Sequence, residues 1–415
     1  MQFFYLLKQA PRPLGFGVLH SFGSSFGQTF LIALFVPFMA ASLAINETEF
    51  ANIYAAITIG SALALPFLGR LIDRVDLLHY SIATLTLLAV GCFVLAATGS
   101  IWMLLAGLFI VRLAGQGLMT HVAMTGTARY FDRNRGRALA LAAFGFPLAE
   151  AILPITILGL IALFGWRAAY AGAGVAILVV LMPLAIWLVW QNDRYRSVPG
   201  KSTPDDPAAQ TDTTRHPALF RSRYIWLCMP MLATPPLVMT ALFFHQGLIS
   251  SAKGIPLAWF AAGFTVFAAT SVIGAFGSGP LIDKYSARRL FPWHLIPTMI
   301  GIALLSFVSS PWIVPVYMGL VGITTGFATT LRTAIIPELV PIDQIGSVRS
   351  TLTAVMVVAS AIGPAMYGWM FAANMAIETM LMLTIAGMAV VTVMSWVSER
   401  PGFYTPPGIS RHSES

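Results

Sequence analysis

Charge is scarce in this sequence. Asp, Glu, Lys and Arg make up 10% of 415 residues, against about 25% in a soluble domain. Cysteine is scarcer still: Cys92 and Cys228 stand in different halves, both inside apolar runs. Buried thiols are the plain reading of that pattern, and it says nothing of redox compartment. Metal-ligand sets, nucleophile elbows and phosphate-cradling loops are missing. Gly115-Gln116-Gly117 lacks the strand that a dinucleotide site needs. These absences argue against an enzyme and imply neither metal nor cofactor.

What is abundant is oil. Hydrophobic residues account for 57% of the chain, and the mean hydropathy is +0.80. Such a chain needs lipid around it, and about 20 apolar residues suffice for one crossing. Twelve runs of that kind are expected to be all-α spans. Helices one to six fall near 16–41, 51–69, 78–98, 101–127, 138–163 and 168–190. Helices seven to twelve fall near 222–248, 257–279, 290–308, 312–337, 347–372 and 376–397. The predicted domains are a six-helix bundle over 1–190, a polar linker over 191–221, a second bundle over 222–398 and a tail over 399–415. The basic start, Met1 to Pro13, reads as the approach to the first span and not as a cleavable leader.

The net charge of +8 could suggest nucleic acid, but its placement argues otherwise. With the N-terminus inside and spans alternating, twenty of the 24 Lys and Arg fall on the cytoplasmic side. Only Arg167 and Lys253 fall outside, while Arg112 and Arg332 remain within helices. Both termini are therefore expected in the cytoplasm, and the basic charge is a topology signal.

Two stretches repeat. Gly279-Pro280-Leu281-Ile282-Asp283-Lys284, followed by Arg288-Arg289, has a degraded copy at Gly69-Arg70-Leu71-Ile72-Asp73-Arg74. The aspartates lie 210 residues apart, as do Gly136 and Gly346, and Pro154 and Pro364. The offset marks an internal duplication. The paired loops resemble the conserved cytoplasmic loop of major facilitator superfamily transporters, with Ser286 and Asp76 where the family carries glycine. That resemblance implies two parallel six-helix repeats with substrate bound near the midplane between them. It further implies a gating role for Gly69, Asp73, Arg74, Gly279, Asp283, Lys284 and Arg288. In that role the aspartates either cap the next helix or pair with a basic residue of the neighbouring bundle; the alternative is plain topological charge.

A charge at the bilayer centre costs about 3 kcal/mol on insertion scales, so embedded ionisable residues are the leading candidates. Arg112 lies about eleven residues, roughly 16 Å, into helix four. Arg112, Gln116 and Thr120 share one α-helical stripe, and Arg112 to Gly117 resembles in part the Arg-x-x-x-Gly motif of proton-coupled family members, with Gln116 at the glycine position and glycines offset to Gly115 and Gly117. Arg112 either binds substrate or ties helices through backbone carbonyls. Glu150 is expected at similar depth on helix five. Burial favours its neutral form and a nearby arginine its carboxylate, so it is either the proton-coupling residue or half of a fixed ion pair. His20, Ser24 and Gln28 suit a cavity wall or interhelical packing. His245-Gln246 and an expected break at Thr234-Pro235-Pro236 mark helix seven. In helix ten, Arg332 stands beside the stripe Thr325, Thr329 and Thr333, within expected reach of Glu338. It is either a ligand residue or a gate-side structural one. Trp166-Arg167 reads as an interface anchor.

Arg129-Tyr130-Phe131, Arg135-Gly136-Arg137-Ala138-Leu139-Ala140 and Gly165-Trp166-Arg167-Ala168-Ala169-Tyr170 resemble monocarboxylate and oxalate/formate-like porters. The implied function is a secondary, proton-linked transporter of small organic anions, monomeric and in the inner (plasma) membrane. Its partners would be a small-molecule substrate, H+ and the lipid bilayer, with no nucleic acid. Two alternatives stay open, a drug/proton antiporter and a non-transporting sensor on the same scaffold.

Overall fold

The computed structural model describes residues 6, 8–131, 134–190, 223–339 and 345–398. The predicted linker 191–221, the tail 399–415 and Arg133 lie outside the described residues. Regular structure among the described residues is entirely helical, as lipid demands, since a helix satisfies its backbone within one segment. Among the described residues, ten helices are long and apolar enough to cross a membrane, and the bent pair Cys228–Phe244 with Gln246–Lys253 makes an eleventh. A broken series over 11–43 supplies the twelfth, so the expected twelve-helix arrangement holds.

The chain divides into two compact units. The first takes its described residues up to 190 together with Phe243–Ser250, and the second takes the remaining ones. In the first, α1 is the series Pro11–Gly23, Ser24–Gly27, Thr29–Ile32 and Val36–Leu43. There follow α2 (Glu47–Gly69), α3 (Leu77–Ala96), α4 (Ile101–Tyr130), α5 (Arg135–Phe164) and α6 (Trp166–Val189). The remaining helices are α7 (Arg223–Phe244, then Gln246–Lys253), α8 (Leu257–Tyr285), α9 (Ala287–Phe307), α10 (Ile313–Leu339), α11 (Ile345–Ala372) and α12 (Ile377–Ser398).

Local chemistry fixes the helix starts. Asn46 and Glu49 form a reciprocal capping box at α2, and Ser100 accepts from Met103 N at α4. Asp76 accepts from Leu78 N and His79 N at α3. Its counterpart 210 residues on, Ser286, caps α9 through Arg289 N at φ +69°. Both residues that replace the family glycine are thus helix caps. Trp102, Leu163, Phe164, Phe307 and Trp312 expose most of their surface. That large outward apolar area suits acyl chains.

Two expected features move. The first span is not one helix: at Gln28 the backbone is extended (φ −83°, ψ 151°). The second is the break in α7, which falls at His245 with a 58° bend. Thr234-Pro235-Pro236 stays helical, and Thr234 Oγ1 donates back to Pro230 O (2.7 Å), one turn earlier on the same helix.

Candidate functional site

The centre of the first unit is organised by a collision between backbones. A Cβ on Gly27 would lie 2.4 Å from Val111 O and 2.8 Å from Gly115 Cα. Only two glycines allow α1 and α4 to approach this closely. At the same level α1 tightens to a 3-10 turn at Ser24–Gly27, and α4 widens to a π-helix at Arg112–Met119. Short π segments often accompany functional sites.

Arg112 opens that segment and is 1% exposed. Its Nη1 donates to Gly27 O (3.0 Å) and Thr29 Oγ1 (3.5 Å). Its guanidinium carbon lies 4.9 Å from the centre of the Tyr54 ring on α2. The Tyr54 hydroxyl donates to the same Thr29 Oγ1 (2.7 Å). Arg112 Nε is buried with no hydrogen-bond partner. Among the described residues no carboxylate comes within 4 Å of this cation. The unit thus holds a guanidinium on neutral acceptors and a π face, with a donor to spare.

Segment Phe243–Ser250 belongs to the same unit. Phe244 packs on Tyr54 (ring centroids 4.7 Å apart) and near Phe50 (6.2 Å). Buried His245 Nδ1 is 3.9 Å from Glu47 Oε2. Gln246 Nε2 donates to Phe30 O (3.3 Å), while its buried Oε1 has no hydrogen-bond partner. Tyr54, Thr29, Phe244 and Glu47 were missed by the sequence reading. The one available signal was a tyrosine and a threonine inside spans otherwise made of oil.

The expected residues separate into groups. Arg112 is at the centre, with Gln116 partly exposed beside it. Thr120 is not one turn further along a common stripe, because π winding offsets the i, i+4 register assumed for an α-helix. His20 points elsewhere: Nδ1 donates to Phe16 O (2.8 Å), and Nε2 hydrogen-bonds Ser81 Oγ (2.6 Å), accepting when the ring is neutral. It pins α1 to α3. Ser24 Oγ donates to Ser21 O (2.7 Å), and Gln28 is partly exposed at the break. The 3-10 turn therefore breaks the cavity-wall stripe His20, Ser24 and Gln28.

Glu150 sits on α5, which packs against α1. Among the described residues it forms no ion pair with Arg112. Equal depth on consecutive helices does not bring side chains together when the helices face different neighbours. Arg332 Nε donates to Ala328 O (3.1 Å) and Nη1 to Met356 Sδ (2.9 Å). The expected partner Glu338 instead accepts from Ala287 N (2.9 Å) and Arg288 N (3.1 Å), fixing the start of α9.

Of the loop residues, Asp73 pairs with Arg129 (2.6 Å), whose guanidinium also donates to Ile72 O. The partner is in the same unit, not the neighbouring one. Gly69 O accepts from His121 Nε2 (3.2 Å) if that nitrogen is protonated. Arg74 and Asp283 are exposed, and among the described residues neither has an ion pair. Lys284 lies over Tyr285 (5.0 Å), Gly279 has open space around it, and Arg288 N is held by Glu338. At the opposite ends, Arg167 Nη2 donates to Thr98 O (2.6 Å) and its guanidinium stacks on Trp166 (4.1 Å).

No match is found among curated proteins. The fold resembles a bacterial homolog of the human lysosomal transporter Spinster, in an inward-facing, unoccupied conformation. The TM-score is 0.69 at 14% identity, covering 93% of this chain and 94% of that one. It also resembles a mutant of the nucleoside transporter NupG, with TM-score 0.70 at 12% identity over 95% and 100% of the two chains. Such identities carry the fold and no substrate. The sequence profile of the Major Facilitator Superfamily matches residues 18–277 and 262–412. With both repeats matched and the twelve-span arrangement in place, the chain belongs to the Major Facilitator Superfamily and is a membrane transporter, not an enzyme.

Proposed function

We propose that this protein is a proton-linked secondary transporter of small organic anions, carboxylates in the first place, working by alternating access. The observation that carries this reading is Arg112: a buried guanidinium in a membrane span, with an idle Nε and no carboxylate near it among the described residues. A permanent cation there is costly, and an anionic substrate offsets that cost. Arginine's planar fork suits a carboxylate's two oxygens. Gln116 lies on the same π segment, and Gln28 and Gln246 supply amides near the helix-one break. His245 and Glu47 lie 3.9 Å apart in the same unit.

Glu150 remains the proposed proton carrier. Its separation from Arg112 removes direct ion-pair competition, so coupling would run through α1, which packs against both α4 and α5. The likeness of the Arg129–Ala140 and Gly165–Tyr170 stretches to monocarboxylate and oxalate/formate-like porters supports the substrate class. The lysine and arginine bias supports placement in the inner membrane with both termini cytoplasmic, and a monomer is sufficient for this mechanism.

The test is uptake of a radiolabelled carboxylate panel into proteoliposomes under an imposed pH gradient. Accumulation of at least one carboxylate that collapses with a protonophore is expected. Accumulation of lipophilic cations, with all carboxylates excluded, would replace this reading with drug efflux. Glu150→Gln should keep counterflow but lose pH-driven accumulation, and wild-type accumulation by that variant would remove Glu150 from coupling.

A further inference from the structure

In the second unit, α10 and α11, with Leu232 of α7, line a cavity of about 160 Å³, enough for several ordered waters or a small ligand. Arg332 and Arg349 both face it, with Thr329, Thr333, Thr353 and Met356. The described lining contains no carboxylate.

The donor inventory decides what could fill it. Of the five guanidinium N–H groups of Arg332, one goes to Ala328 O and one to the Met356 thioether, which is a weak acceptor. Three remain. Arg349 lies exposed, and its guanidinium makes no hydrogen bond or ion pair among the described residues. The threonine hydroxyls are committed as donors: Thr329 to Gly326 O, Thr333 to Thr329 O, and Thr353 to Arg349 O. Their oxygens can then only accept, so the donors left for a ligand are guanidinium N–H groups. Two like charges on one small cavity raise each other's cost, and the cost stands until a negative group enters.

The α4–α5 pocket of the first unit also carries two arginines, Arg129 and Arg135, but at other positions, and Arg129 is paired with Asp73 there. Positions 210 residues earlier are Val122 and Leu139. The exact positions of Arg332 and Arg349 are therefore apolar in the first half, and the two arginines are particular to this cavity.

The geometry points to a binding site for a small oxyanion held between the guanidinium groups of Arg332 and Arg349. It is separate from the Arg112 centre and does not depend on the substrate proposed there. Such a group can reach the site as a water-soluble oxyanion or as the phosphate of a lipid headgroup.

The experiment uses the full-length protein in detergent, in an Arg112→Gln background, so that the first centre cannot contribute. Inorganic phosphate and succinate are titrated by calorimetry, and phosphatidylglycerol against phosphatidylcholine by native mass spectrometry. Saturable binding of at least one oxyanion probe is expected. It should weaken about 10-fold or more in each of Arg332→Gln and Arg349→Gln, as loss of one charged donor pair implies. Arg332→Lys keeps the charge, removes the fork and should retain only part of the affinity. Arg349 is exposed, so its variant carries the test even where Arg332→Gln does not fold. Selective retention of phosphatidylglycerol identifies a headgroup site, and binding of phosphate or succinate alone identifies a solute site. No saturable binding of any probe, or equal affinity with and without the two arginines, overturns the proposal.

Discussion

Position 112 of the first repeat and position 322 of the second are equivalent by the 210-residue offset, and they could hardly differ more. One is a buried arginine and the other a glycine. Gly322 and Gly326, equivalent to Arg112 and Gln116, press α10 onto α8. A Cβ on Gly322 would stand 2.4 Å from Phe267 O, and one on Gly326 1.9 Å from Ser271 O. There is no room for any side chain. In the first unit the close approach is instead between Gly27 and Gly115, one turn away, and the helices unwind around it. The duplication preserved the frame of spans and caps while the polar load moved. One repeat holds its cation at mid-span; the other holds Arg332 and Arg349 near one end of its helices.

Removing the first repeat's cation should have the largest effect. Arg112→Ala is expected to lower apparent substrate affinity about 10–100-fold, the loss of one or two charged hydrogen bonds. Initial uptake rates against concentration measure it, and Arg112→Lys should recover little, because an ammonium cannot span two oxygens. Near-wild-type uptake by the alanine variant would make Arg112 a tie between helices.

The second repeat should fail differently. Gly326→Ala forces α10 away from α8 and should cost roughly 1–3 kcal/mol of stability. Gly277→Ala on α8, with nothing within 4 Å, should be neutral or slightly stabilising. Thermal unfolding in detergent separates the two, and equal melting temperatures would deny that glycine contact sets this packing.

The loops invert the ranking that sequence quality suggests. The degraded copy has the partnered aspartate, Asp73 with Arg129, while the well-preserved copy leaves Asp283 without one among the described residues. Asp73 is 68% exposed, so the pair is worth at most about 1 kcal/mol. Asp73→Asn should shift the conformational populations modestly and Asp283→Asn less, as read by double electron–electron resonance. A larger shift in Asp283→Asn would restore the family-based order.

The smallest effect concerns the caps. Ser286, at φ +69° and ψ 152°, occupies a region that glycine tolerates best. Ser286→Gly relieves that strain but loses a long cap bond of 3.4 Å, for a net gain of up to about 1 kcal/mol. Ser286→Ala keeps the strain, loses the cap and should destabilise. Asp76, with ordinary backbone angles, should lose stability on substitution by glycine. A gain there would break the contrast.

Most of the architecture was legible. Twelve apolar runs, the offset shared by Asp73 and Asp283, and arginines within spans at Arg112 and Arg332 followed from composition and spacing. The partners did not follow. Glu150 was expected near Arg112 because depth can be counted along a helix, but the face it presents cannot. Glu338 was expected near Arg332 on sequence distance, yet it fixes the start of α9, a turn whose backbone donors only folding brings to it. Thr234-Pro235-Pro236 advertised a break, but the bend came at His245, where Phe244 packs on Tyr54.

By itself the sequence determined how many times the chain crosses a bilayer and which charges must lie inside it. Those are questions of length and transfer energy, answered residue by residue along one strand. Only the tertiary structure decided that Arg112 rests on Gly27, Thr29 and Tyr54, that α4 opens into a π-helix beside it, and that Arg332 and Arg349 face one cavity. Those outcomes depend on which backbones can touch. That is set by glycines from distant spans, whose consequences appear only when both helices are in place.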